Sequence, residues 1–143
     1  MGLYEKRLFK IRKDLKIEAE YRRKKRKKFK QNQKIMIDFI NGLTREAVFN
    51  INNKKIVLRR GDSKKGFQHI LERHYCKECD GRLSLLDILN FDLYLKRAIK
   101  LHQEGISNKD LEVFLYKKDT KSYKVVLKKV KTNNLVVTFY RQE

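Results

Sequence analysis

At Ala47 the apolar residues change period, and that change decides which class of fold is open to the chain. Before it, Leu8, Ile11 and Leu15 fall at helical spacing, as do Met36, Phe39, Ile40 and Leu43. After it, "AVFNINNKKIVLRR" holds two short β-rich runs, 48–51 and 55–59, joined by Asn52-Asn53-Lys54 as a tight hairpin. The last third is β throughout. "LEVFLYKK", "SYKVVLKKV" and "NLVVTFYRQ" are separated by the turn signals Asp119-Thr120-Lys121 and Thr132-Asn133-Asn134. Alternation in the middle run puts Tyr123, Val125, Leu127 and Lys129 on one face.

Between the two β regions the helical period returns. Asp62 or Ser63 is placed to cap a helix carrying Phe67, Ile70, Leu71 and His74 along one side. Ser84 is placed to cap a second helix, Leu85 to about His102, with Leu86, Leu89, Leu93 and Ile99 among its buried positions and Gly105 as its stop. The expectation is an α+β fold, with N-terminal helices and a helical pair packed on a small twisted antiparallel sheet.

Charge narrows the partners. The 143 residues carry 37 Lys and Arg against 17 Asp and Glu, a net charge of +20. Such an excess repels itself in a compact state and makes sense chiefly against a polyanion, with nucleic acid the leading class. Half of it lies in residues 1–43, expected to form a basic helical arm beside a compact α+β unit, 44–143. Arg22, Arg23, Lys24, Lys25, Arg26, Lys27 and Lys28 are consecutive. On a helix they would point all round the axis, so the run is expected to be solvated and to become helical only against RNA phosphates. Tyr21 and Phe29 flank it, placed either to stack on bases or simply to pack. No apolar stretch approaches a membrane span or a signal peptide, so a cytoplasmic chain with no membrane partner is expected.

Residues 66–75 read "GFQHILERHY". On a helical wheel His69 and His74 differ by about 140°, since each residue advances about 100°. His74 falls at the edge of the buried stripe and His69 on the wetter side, beside Lys65 and Arg73. Plain packing would produce this, but the surroundings favour chemistry. Arg59, Arg60, Lys64 and Lys65 lie just upstream, around a helix N-terminus whose free N–H groups already suit an anion. Cations beside a titratable imidazole can hold a phosphate and move a proton.

"RRGDSKKGFQHILERH", followed by a helix and then by strands ending "VVTFYR", resembles the phage-type branch of the barnase–EndoU–colicin–RelE-like nucleases. The resemblance covers about 47–141, and its most specific piece is G-F-x-H-I-L-x-R-H. It implies a toxin-like endoribonuclease that needs no metal or other cofactor, cleaves RNA, often tRNA, and is restrained by an acidic antitoxin or immunity protein. Matched onto this chain, His69 and His74 are the candidate proton-transfer residues. Arg59, Arg60 and Lys65 would bind phosphate, and Thr138, Tyr140 or Arg141 on the last strand would complete the site. Neither the arm nor the "CKEC" insert belongs to the family pattern.

Two other readings stay open. Charge alone would serve a non-catalytic RNA- or DNA-binding protein. His74, Cys76 and Cys79 would make a three-ligand zinc module, completed by a fourth ligand from elsewhere. The plainer expectation for the two cysteines is a pair of reduced thiols in a helix–helix connection.

Overall fold

A computed structural model of the chain describes residues 2–101 and 110–142. Helix α1, Leu3–Lys24, and helix α2, Gln31–Ile40, come first. Strands β1, Glu46–Ile51, and β2, Lys54–Arg59, form a hairpin around Asn52 and Asn53. Both asparagines have positive φ (51° and 65°), the pairing a two-residue turn needs to match the twist of its strands. Helices α3, Phe67–His74, α4, Leu85–Leu89, and α5, Phe91–Arg97, follow. The chain ends with strands β3, Ile99–Leu101, β4, Leu111–Lys118, β5, Lys121–Val130, and β6, Asn133–Gln142.

The architecture is α+β, five helices packed against one six-stranded sheet of order β1-β2-β6-β5-β4-β3. The sheet is mixed rather than purely antiparallel. Strand β6 closes onto β2 in parallel through Ile56 opposite Asn134 and Val57 opposite Leu135. That pairing joins the early hairpin to the C-terminal meander, and the buried Asn134 amide reinforces it by donating to the Lys55 carbonyl at 3.2 Å.

The core lies between the helices and one face of the sheet. Tyr123, Val125 and Leu127 of β5 stand opposite Arg141, Phe139 and Val136 of β6, and the apolar members of this set are buried. Ala47, Phe49, Ile56 and Leu58 extend the same face toward β1. Side chains from both sides of residue 43 share this core. Tyr4, Ile11 and Leu15 of α1 and Met36, Phe39 and Ile40 of α2 join it, and the Phe39 and Phe67 rings meet edge-on at 5.0 Å. Full burial of one such side chain contributes about 1.5–3 kcal/mol, so the three from α1 alone rival the net stability of a small domain. The first helix is a structural wall, not a detached arm.

Four local expectations are corrected. The cation run is helical through Lys24, because α1 is docked along its apolar stripe before the run begins. Leu43 is exposed, beyond the end of α2. Neither Asp62 nor Ser63 caps α3: the cap position is Gly66, and the Asp62 carboxylate instead accepts from the Lys64 and Lys65 N–H groups. The long helix expected from Leu85 breaks at Asn90, which ends α4 and begins α5 while its side chain accepts a 2.9 Å hydrogen bond from buried Gln33. Helicity stops at Arg97, and Ile99, exposed rather than buried, opens β3; Leu86 is exposed too. His102 and Gly105 lie outside the described residues.

Candidate active site

The site grows from an edge that β2 leaves uncovered. Beyond Leu135, no strand among the described residues pairs with β6 on that side, and two loops take its place. The Gly66 N–H donates to the Val137 carbonyl at 2.8 Å, and the Arg141 N–H donates to the Gly81 carbonyl at 3.1 Å. Helix α3 spans the gap between those loops and is held against the strand at both ends. A bulge sets the phase of the strand here: Leu127 pairs with Val136 but Val126 with Thr138, so Val137 is the extra residue. Phe139 thereby enters the core, while Thr138 and Tyr140 turn away from it, a re-aiming that bulges commonly perform.

His74 is the last residue of α3, and its ring stacks on Tyr140 with centroids 5.1 Å apart and planes at 23°. The His69 ring meets His74 edge-on at 5.7 Å. The wheel separates the two backbone positions by about 140°, yet the rings converge over the flank between them. Each is drawn there by a loop carbonyl. The His69 Nδ1–H donates to the Ser63 carbonyl at 3.0 Å and the His74 Nδ1–H to the Asp80 carbonyl at 2.6 Å. A carbonyl only accepts, so each ring carries its proton on Nδ1 and, when neutral, leaves Nε2 as the basic nitrogen.

His74 is half-buried, and burial lowers its pKa from the ordinary imidazole value, helped by the nearby charges of His69 and Arg73 and opposed by the hydrogen bond to Asp80. The shift favours the neutral imidazole, whose free Nε2 can act as a base. Beside it opens a cleft of about 350 Å³ lined by His74, Asp80, Gly81, Tyr140, Arg141 and Gln142. Gly81 makes this closeness possible. It has φ of +62°, and a Cβ there would come within 2.9 Å of the Arg141 carbonyl oxygen and 3.1 Å of His74 Nδ1.

The expected phosphate ligands divide. Arg141 lines the cleft with His74. Arg59 is turned to the sheet edge, where its Nε donates to Glu46 at 3.0 Å. Arg60 lies over the Tyr4 ring at 4.5 Å and donates to Gln68. Lys65 sits exposed just before α3, nine residues from His74 and at the opposite end of that helix. Thr138 does not line the cleft, and its hydroxyl is buried without a hydrogen-bond partner among the described residues. Asp80 and Gly81 were passed over by sequence reasoning; their only signal was the Asp-Gly pair, which marks a turn but not the ring it touches.

The zinc alternative and the reduced-thiol expectation are both corrected. Cys76 and Cys79 are joined to each other as a disulfide. His74 Nδ1 is engaged by Asp80, and among the described residues no group of three or more His, Cys, Asp or Glu converges to hold a metal.

In the basic run, Arg22 pairs with Glu18 at 2.7 Å and covers the Phe29 ring, and Arg23 pairs with Glu20. Among the described residues no ion pair engages Lys24, Lys25, Arg26, Lys27 or Lys28, all exposed. No helix of the described residues is long and apolar enough to cross a membrane.

Fold and site together define an α+β protein with a histidine pair on the flank of its sheet. Compared with known proteins, the chain matches no family model, no curated protein and no solved structure.

Proposed function

We propose that this protein is a metal-independent endoribonuclease of the toxin-like kind, with tRNA as a candidate substrate and an acidic antitoxin or immunity protein as its restraint. The observation that carries the reading is the pair of imidazoles in contact, each fixed through Nδ1 to a backbone carbonyl, of which His74 lines a cleft together with Tyr140 and Arg141. Two imidazoles supply the base and the acid that transesterification of RNA needs.

In this mechanism His74 Nε2 takes the proton of a ribose 2′-hydroxyl. The 2′-oxygen bonds to phosphorus, and the phosphorus–5′-oxygen bond breaks. His69 is the partner that delivers a proton to the departing 5′-oxygen, leaving a 2′,3′-cyclic phosphate. Arg141 offsets the charge that builds on the phosphoryl oxygens. The π-face of Tyr140 favours His74 as it becomes cationic. The net charge of +20 draws the polyanion in.

The test is incubation with total tRNA in excess EDTA. Discrete fragments ending in cyclic phosphate are expected from the wild-type protein and none from His74→Ala, with circular dichroism unchanged. Tight RNA binding without fragments would reduce the protein to a charge-driven RNA binder.

A further inference from the structure

A second cleft, of about 500 Å³, lies between α1 and the segment that follows α3. Its charged lining includes Arg7, Lys10, Lys77 and Arg82 against Asp14 and Glu78. Asp14 is already satisfied on both oxygens. Lys10 pairs with one at 2.8 Å, and the Tyr75 hydroxyl donates to the other at 2.6 Å. That leaves Arg7, Lys77 and Arg82 facing one carboxylate, Glu78. Arg7 Nε is buried and has no hydrogen-bond partner among the described residues. A guanidinium N–H hidden from water without an acceptor is unfavourable, and among the described residues no carboxylate pairs with Arg7, so its charge at the cleft is left for an anion to offset.

The position of this cleft identifies the anion. Cys76 lines it, Cys79 lines the cleft of His74, and the two Cα atoms are 5.1 Å apart across their disulfide. The Cys76–Cys79 turn therefore contributes to the wall of each cleft. We propose that the cleft of Arg7, Lys77 and Arg82 is a second phosphate subsite, which grips the RNA strand after it passes over the Cys76–Cys79 turn from the site of His74. The inference rests on the RNA reading above but not on cleavage. It assigns α1 a part in substrate binding as well as in the core. It also makes the protein select strands long enough to occupy both clefts.

The experiment separates the subsite from the nuclease reading by measuring binding without cleavage. A fluorescein-labelled all-2′-deoxy single-stranded decamer, which lacks the attacking hydroxyl, is titrated against wild-type protein and the Arg7→Gln, Arg82→Gln double variant at several salt concentrations. A loss of about tenfold in affinity is expected, with the slope of log K against log salt reduced by about 0.7 for each phosphate contact removed. Because Arg7 is partly buried, Lys77→Gln with Arg82→Gln, both exposed, serves as the second variant and is expected to show the same direction. Lys117→Gln with Lys121→Gln on the β4–β5 hairpin removes equal charge elsewhere. No loss in either subsite variant, or an equal loss in the hairpin control, would overturn the subsite. In parallel, the variants should cleave a dinucleotide as the wild type does while KM for a long RNA rises. If no form cleaves any RNA but the binding loss is seen, the subsite stands and the nuclease reading falls.

Discussion

The imidazole of His74 lies face to face with the phenol ring of Tyr140, 5.1 Å between centroids, so the end of a helix and the final strand form one surface. Tyr140→Phe preserves that face and Tyr140→Ala removes it. If stacking positions the base, cleavage of tRNA should be nearly kept in the first variant and fall about tenfold or more in the second, roughly the 1.4 kcal/mol that one aromatic contact contributes. Equal losses in both would assign the role to the hydroxyl instead.

The pH dependence follows from the direction of the His74 shift. Its folded pKa lies below its unfolded value because burial disfavours the imidazolium. The acid limb of the cleavage profile, where His74 gains its proton, should therefore lie below the ordinary imidazole pKa of about 6.5. The stability sign is the same. Below about 6.5 the unfolded chain binds the proton more readily than the folded one, so this histidine makes stability fall as pH drops toward its folded pKa. In His74→Gln that part of the acid loss should vanish from a series of thermal melts. An acid limb centred above 6.5 would count against His74 as the base.

Gly81 carries a prediction about closeness. An alanine there adopts a positive φ at a cost on the order of 1–2 kcal/mol and presses its Cβ on the Arg141 carbonyl and the His74 ring. Gly81→Ala should lower the melting temperature and reduce cleavage more than tenfold at temperatures where the variant is still folded. Full activity would mean that the Asp80–Gly81 turn does not place the ring.

The disulfide closes the turn immediately before Asp80, whose carbonyl orients His74. Cys76→Ser with Cys79→Ser should cost on the order of 2 kcal/mol, the loop being very short. Cleavage should drop in that variant, and a thiol reductant should lower the wild-type activity to match. Unchanged activity would show that the backbone bonds from Leu83 to His74 and from Arg141 to Gly81 hold the loop by themselves.

The basic run can be tested with its engaged members left in place. Replacing Lys24, Lys25, Arg26, Lys27 and Lys28 by Gln, while keeping Arg22 on Glu18 and Arg23 on Glu20, should flatten the salt dependence of RNA binding by about 0.7 per lost phosphate contact. An unchanged slope would remove the run from the RNA interface.

What the amino-acid order determined by itself was local. Helical spacing through Ile11 and Leu15, the two asparagines of the first hairpin, the Ser84 cap and the alternation of Tyr123, Val125 and Leu127 each depend on residues a few positions apart. Those signals are written in the side chains that make them. Tertiary structure decided which distant surfaces meet. The parallel closure of β6 on β2, the hydrogen bond from Gln33 to Asn90 at the helix break, and the docking of α1 all join residues far apart in the chain. The histidine pair shows the difference most plainly. A wheel fixes only where two backbones stand on a cylinder, whereas the rings follow carbonyls on separate loops and a strand turned by its bulge, contacts that no local period encodes.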